Sequence, residues 1–104
     1  AKSLLSLSHT AGVFADVNGS AEMGIGNAAN LHIAAACPAV MIPGTIPITQ
    51  TEAVRRTEVA CRIYLDDLID APFDYEDGYM TVPSGPGLGV DIDPEKFAKY
   101  RVGG

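Results

Sequence analysis

Polar side chains with hydrogen-bonding or acid–base capacity directly follow two apolar runs of the chain. Asn18, Ser20 and Glu22 come after the run 13–17, and Thr45 comes shortly after a second run. If both runs are parallel strands, these side chains lie at the strand ends where α/β barrels build their active sites. An amide and two hydroxyls there could hydrogen-bond a substrate. The same residue types also form turns, so for Asn18 and Ser20 both interpretations remain open.

Three other groups have suitable chemistry but a stronger structural interpretation. Gly24 and Gly26 could present backbone N–H groups to an anion, yet a lone Gly-x-Gly is a weak signal and helix packing explains it better. His32 lies seven residues after Ile25 on the same helix face, which indicates a packed structural histidine. The acidic residues between 66 and 77 lack the spacing of a calcium loop. We expect them to form a solvated face or a subunit contact.

The elements that would position these residues alternate between helix and strand. Hydrophobic periodicity and the glycine and proline stops predict helices over 1–11, 24–37 and 49–69, and strands over 13–17 and 39–42. Thr49 with Glu52 fits a capping box at the start of the third helix. Such alternation is typical of right-handed βαβ units with a parallel sheet. The continuous apolarity of 39–42 predicts a strand buried on both faces.

The sequence pattern changes after Pro72, where alternating helices and strands are no longer predicted. An aspartate–glycine step within 74–82 predicts a turn between two extended segments. The glycines and prolines of 83–89 predict an irregular but ordered loop packed on another segment. Asp93 is expected to cap a last short helix that begins at Pro94.

Two parallel strands do not make a stable sheet, because their edges stay unpaired and their faces uncovered. The missing neighbours would lie in sequence beyond this chain, or in a second copy of a small open domain. The chain also begins without methionine, at Ala1, inside a predicted helix. We therefore expect it to be part of a longer protein.

Composition excludes several classes of function. The net charge of −6 over 104 residues would repel a nucleic-acid backbone. The uncharged run 33–42 contains Pro38 and is too short to span a membrane, and the start of the chain does not read as a signal peptide. Cys37 and Cys61 are widely separated and predict reduced thiols. We expect a cytoplasmic protein without a nucleic-acid or membrane partner.

Two stretches resemble a known family. Residues 18–26, leading into 27–36, are similar to the seventh strand, turn and helix of muconate-cycloisomerase-like barrels. Residues 66–68, 77–79 and 82–90 resemble the tail of the same barrels. The chain is thereby identified as similar to the C-terminal part of the mandelate racemase/muconate lactonizing enzyme family, within the enolase superfamily.

The resemblance implies a fold and its partners. The fold class would be α/β, the last two βα units of a TIM-like (β/α)7β barrel that is incomplete by itself. Residues 1–71 would end the barrel domain, and 72–104 would form a tail that returns toward an N-terminal capping domain. The loop 83–89 would then pack on that capping domain. The missing barrel strands and capping domain would be the partners, and the intact enzyme is expected to be a homo-oligomer.

The resemblance also implies a chemistry, the removal of the proton next to a substrate carboxylate with the help of Mg²⁺ or Mn²⁺. The metal ligands and the acid/base lysines would lie outside this chain, which would hold neither a metal site nor a catalytic base. No histidine lies between Phe14 and Met23, which favours the branch that uses a lysine pair over the one that uses a histidine. Glu22 matches a glutamate of the muconate cycloisomerases and would support the lysines. The alternative interpretation is that Glu22 only interacts with the helix dipole at the start of the next helix. Asn18, Ser20 and Thr45 would contact the small carboxylate substrate.

Cycloisomerisation, racemisation or epimerisation, and dehydration all remain open as the reaction. Two alternatives to an enzyme piece also remain. One is a free-standing acidic interaction module without catalysis. The other is a small anion-binding protein that uses the turn at 19–26.

Overall fold

The computed structural model describes residues 1–20, 22–49 and 63–103. These residues form a small α/β arrangement with short strands. Its elements, in chain order, are α1 (Lys2–Thr10), α2 (Met23–Ala36), β1 (Ile48–Thr49), β2 (Ile63–Tyr64), β3 (Tyr75–Glu76), β4 (Tyr79–Met80) and α3 (Pro94–Tyr100). Strands β1 and β2 pair in parallel, and β3 and β4 pair antiparallel.

Helices α1 and α2 confirm the first two predicted helices. Helix α1 ends at a C-cap alanine, and the following Gly12 has a φ of 69°, a left-handed conformation that glycine adopts without steric cost. Helix α2 ends where Cys37 turns to extended backbone just before Pro38. A proline disfavours helical backbone in the residue before it, which explains this boundary.

The predicted strands over 13–17 and 39–42 are parallel, as expected, but they are reduced to a single bridge. Ala15 pairs with Val40, and the Ala15 N–H donates to the Ala39 carbonyl at 2.8 Å. The prediction that both runs are buried is confirmed at Ala39, which is 1% exposed, and is wrong at four large apolar side chains. In the first run, Val13 is 57% exposed and Phe14 is 65% exposed. In the second run, Met41 is 65% exposed and Ile42 is 48% exposed. In the described part of the chain the two runs pair with each other, so no further strand covers these four side chains.

The helix predicted over 49–69 is wrong at its C-terminal end. Ile63 and Tyr64 form strand β2, which pairs with Ile48 and Thr49 of β1, and the residues after it are not helical. Helical spacing would place Leu65 on the inner face of that helix, but this side chain is 85% exposed. A β-branched and an aromatic side chain at 63–64 favour the extended conformation, and pairing with β1 overrides the helical spacing. Residues 50–62, including Glu52 of the proposed capping box and Cys61, lie outside the described residues.

The tail matches its local predictions. Asp77 and Gly78 join β3 to β4 with positive φ values of 49° and 84°, as in the two-residue turns whose twist matches a hairpin. Asp93 caps α3, because its Oδ1 accepts from the backbone N–H groups of Glu95 and Lys96 at 2.9 and 3.1 Å. An antiparallel bridge between Ile69 and Ile92 ties the tail back to the segment after β2.

The core lies beneath α2, between that helix and the segments 37–49 and 67–69. Its buried apolar side chains are Ala28, Leu31, Cys37, Ala39, Ile48 and Ile69. Cys37 is a free thiol, as predicted. Among the described residues, no helix has both the length and the apolar character to cross a bilayer.

Candidate functional site

The turn after the first apolar run meets the segment after the second, as the prediction of parallel strand ends requires. The Asn18 side-chain oxygen accepts from the Thr45 N–H at 2.9 Å, and the Gly19 N–H donates to the Thr45 carbonyl at 2.7 Å. The Asn18 side-chain NH₂ donates to Asp16 at 2.6 Å. Asn18 therefore joins the two strand ends. Asn18 and Thr45 are both exposed, so a ligand can reach them from solvent.

Glu22 folds back over this turn and stands directly before α2. Its carboxylate accepts a hydrogen bond from the Ser20 backbone N–H. A Cβ placed on Gly19 would lie 3.1 Å from the Glu22 Oε2, 3.1 Å from the Asn27 Oδ1 and 2.9 Å from the ring of Pro47. Only a glycine fits this slot. The structure thus brings Asn18, Ser20, Thr45 and Glu22 to one end of the strand pair, and their functional roles stay predictions.

The acidic residues were expected on a solvated face or at a subunit contact, and for Asp67 this is wrong. Its side chain is buried, with the residue 3% exposed. One carboxylate oxygen accepts from the Gly24 N–H at 2.9 Å and the Leu68 N–H at 2.6 Å, and the other accepts from the Thr49 hydroxyl at 3.1 Å. These three bonds explain how a carboxylate is accommodated away from water. The neighbouring aspartates look alike in sequence, so no local signal identified Asp67.

Asn27 is a second buried polar residue that the sequence did not reveal. It is 1% exposed within an alanine-rich helix, and its NH₂ donates to the Pro47 carbonyl at 2.8 Å. In the described part of the chain its Oδ1 has no hydrogen-bond partner. Asn27 therefore fixes the separation between α2 and the segment that leads into β1.

Asp66 holds the last helix to the segment after β2. Its carboxylate accepts from the Tyr100 hydroxyl at 2.6 Å and from the Lys99 ammonium at 3.1 Å. These hydrogen bonds, the Tyr100 one first, lower the pKa of Asp66 to about 2. The hydrogen bond with Tyr100, followed by that with Asp66, raises the pKa of Lys99. Asp66 therefore holds helix α3 against the segment after β2 through a contact at the protein surface.

Gly24, Gly26 and His32 make structural contacts. A Cβ on Gly24 would collide with Ile69, which confirms a packing role for Gly24. A Cβ on Gly26 would collide with Glu22, the N-cap residue of the same helix, so this contact is local to α2. His32 contacts the Leu88 carbonyl through Nε2 at 3.1 Å. The loop 83–89 is therefore ordered against α2 here; its packing on a capping domain stays a prediction.

An open, mostly apolar cleft of about 710 Å³ lies beside Thr45. Its walls are segment 40–46 and hairpin 75–80, with Leu31 of α2 at its base. Across the residues that the structure describes, no three His, Cys, Asp or Glu side chains converge as metal ligands. The described residues therefore offer hydrogen-bonding groups and carboxylates, those of Asp16 and Glu22 at the strand ends and that of Asp77 on the wall of the cleft.

Comparisons with known proteins agree with this layout. The family profile described as enolase C-terminal domain-like matches residues 1–96. The chain is 36% identical over 84 residues to an o-succinylbenzoate synthase of Enterococcus faecalis, which covers 81% of this chain and 20% of that protein. It is 35% identical over 83 residues to a chloromuconate cycloisomerase of Pseudomonas putida, covering 80% and 19%. It is 31% identical over 86 residues to an N-succinylamino acid racemase of Thermus thermophilus, covering 83% and 20%.

The chain spans about a fifth of the length of these curated relatives. The match nevertheless extends over nearly all of the chain, from α1 into α3. The relatives are a synthase, a cycloisomerase and a racemase, which are all enzymes. The chain belongs to the mandelate racemase/muconate lactonizing enzyme family of the enolase superfamily.

Proposed function

We propose that this chain forms the last two βα units and the tail of a (β/α)7β barrel enzyme. Family membership supports this, and so does the parallel pairing of Ala15 with Val40. The exposed apolar side chains of Phe14 and Met41 are a further support, because a strand pair in a barrel has neighbours that would cover them. In that enzyme, residues 72–104 would return toward the capping domain.

The whole polypeptide would remove the proton on the carbon next to a substrate carboxylate. The relatives' names include o-succinylbenzoate, chloromuconate and N-succinylamino acids, all of which carry carboxylates. Their reactions differ, and abstraction of an α-proton is the step that the resemblance assigns to all of them. The proposal is therefore this shared step on a small carboxylate, and the subsequent fate of the intermediate is not assigned.

By the family resemblance, Mg²⁺ or Mn²⁺ in the intact enzyme would have its ligands outside this chain. The catalytic lysines would also lie outside. The contribution of this chain would be the strand-end residues, with Asn18, Ser20 and Thr45 binding the substrate. The intact enzyme would be a cytoplasmic homo-oligomer.

Glu22 would support the lysines without being the base. A carboxylate next to a lysine stabilises the ammonium form and raises the pKa of that lysine. The position of Glu22 at the strand ends beside Ser20 is the observation that carries this role. Its alternative, a carboxylate that merely interacts with the positive end of α2, predicts a small effect on stability and none on catalysis.

The alternative of an acidic interaction module has less support. Asp66 is engaged with Tyr100 and Lys99, and Asp67 is buried against Gly24 and Thr49. A module that binds basic partners would keep these carboxylates free.

The test compares wild type with Glu22→Gln in the whole polypeptide, by turnover of carboxylate substrates across the pH range. We expect Glu22→Gln to lower turnover by roughly 5- to 150-fold, the equivalent of about 1–3 kcal/mol for one lost charged hydrogen bond. The pH–rate profile should shift, and the melting temperature should stay nearly unchanged. Glu76→Gln, at an exposed position of strand β3, is the matched control and should change none of these. If Glu22→Gln keeps wild-type turnover at every pH, Glu22 only interacts with the positive end of α2 and its proposed catalytic support is refuted.

A further inference from the structure

The junction between Glu22 and α2 contains a strained residue. Met23 has a φ of 54°, in the left-handed region that side chains other than glycine rarely adopt. Glu22, at the N-cap position, makes no side-chain hydrogen bond that caps this helix. Such a conformation persists only where the surrounding structure holds it, and it is found preferentially at functional sites. What holds Met23 therefore also decides where Glu22 lies.

The holding contacts come from a segment some forty residues later, residues 64–69, which we call the 64–69 clamp. The Met23 N–H donates to the Tyr64 hydroxyl at 3.2 Å, and that hydroxyl donates to the Ser20 carbonyl at 3.4 Å. The Gly24 N–H donates to Asp67 at 2.9 Å. The Ile69 side chain, 1% exposed, fills the space that a side chain at Gly24 would need. The clamp thus contacts both sides of the strained junction.

Asp67 is the strongest of these contacts. Its bond to Gly24 is shorter than either bond of the Tyr64 hydroxyl, and its acceptor is a carboxylate. It also lies at the positive end of the 14-residue helix α2, where a negative charge is stabilised. The Thr49 hydroxyl anchors its other oxygen to β1. Asp67 therefore fixes the first turn of α2 relative to the strand pair β1–β2.

We propose that Asp67 is a positioning residue for the Glu22 site. By holding the Gly24 N–H it keeps Met23 left-handed, and this directs the Glu22 carboxylate onto the Ser20 turn. Without Asp67, Met23 would relax to an ordinary negative φ and Glu22 would move away from the strand ends. The catalytic consequence rests on the function proposed above, whereas the clamp itself is a property of this chain.

The test measures Asp67→Ala in the whole polypeptide, in the natural background and in a Met23→Gly background. Misplacement of a catalytic group by a distant change can cost on the order of 100-fold, so we expect Asp67→Ala to lower kcat by about 10- to 100-fold with little change in KM. Glycine adopts a left-handed φ freely. In the Met23→Gly background the loss caused by Asp67→Ala should therefore shrink to less than about fivefold. The control is Asp70→Asn, which changes an exposed aspartate directly after the 64–69 clamp and should leave kcat unchanged.

A readout independent of activity is hydrogen–deuterium exchange of the peptide covering residues 18–28. Asp67→Ala should speed exchange there, and Asp70→Asn should not. If Asp67→Ala does not fold, Asp67→Asn keeps the shape and one acceptor oxygen and is expected to show a smaller change of the same sign.

Equal losses of kcat in the two backgrounds would overturn the proposal, because Asp67 would then act without passing through Met23. Wild-type kcat in Asp67→Ala would also overturn it. A wild-type polypeptide without turnover would instead refute the proposed function. In that case unchanged exchange at residues 18–28 would refute the clamp, and faster exchange would support it.

Discussion

Replacing Gly24 with alanine should destabilise the protein although alanine is the better helix former. The new Cβ would lie 2.5, 2.7 and 2.8 Å from three side-chain carbons of Ile69. Ile69 is 1% exposed, so its side chain has no free space to move into. Overpacking of this kind costs about 1–3 kcal/mol, and replacing glycine within a helix returns up to about 1 kcal/mol. With a return of about 1 kcal/mol, the net loss of unfolding free energy should be up to about 2 kcal/mol.

The assay is urea denaturation of the whole polypeptide, with a second variant that removes the obstacle. Ile69→Ala deletes the three carbons that the new Cβ would meet, at a cost of its own of about 2–5 kcal/mol. In that background Gly24→Ala should become neutral or stabilising by up to about 1 kcal/mol. Ala35→Gly, at an exposed position of α2, calibrates the helix propensity. Equal destabilisation by Gly24→Ala with and without Ile69 would refute the contact as its cause.

Two further predictions concern surface polar contacts. Because the pKa of Asp66 is held at about 2 against an ordinary 3.8, its contact should stabilise the protein fully above pH 3.8 and lose this effect as the pH falls through 2. Tyr100→Phe should raise that pKa toward 3.8 in a carboxyl NMR titration, and an unmoved pKa would exclude the hydroxyl as the cause. Asn18→Ala removes the acceptor for the Thr45 N–H and should lower the unfolding free energy by about 0.5–1.5 kcal/mol. Asp16→Ala removes only the other side-chain bond of Asn18 and should lose less; equal losses would show that the Thr45 bond is not the stabilising one.

Elements with local signals were predictable from sequence. The aspartate–glycine turn of the hairpin, the Asp93 cap of α3 and the proline that ends α2 each act through residues adjacent in the chain. Strand β2 was not predictable, because its spacing fits a helix and its partner β1 lies 15 residues earlier in register. Pairing at that distance overrides the local pattern.

The strand-end cluster was predictable in outline, because parallel strands bring their carboxyl ends together. Asn18 and Thr45 do meet there. The buried role of Asp67 could not be predicted, since two of its three donors, Gly24 and Thr49, lie in distant segments. Its neighbour Asp66 bonds to Tyr100 instead. The left-handed φ of Met23 is equally invisible, because methionine carries no preference for that conformation.

The most direct test of the proposed function is exchange of a substrate α-proton with solvent. The whole polypeptide, supplied with Mg²⁺ in deuterated water, would be incubated with N-succinylamino acids and other carboxylates that carry a hydrogen on the α-carbon. NMR would then follow that hydrogen, with heat-unfolded protein as the control. We expect loss of the α-proton signal of at least one carboxylate with the native protein and not with the unfolded one. Retention of the α-proton by every carboxylate tested with the folded, whole polypeptide would contradict the proposed function.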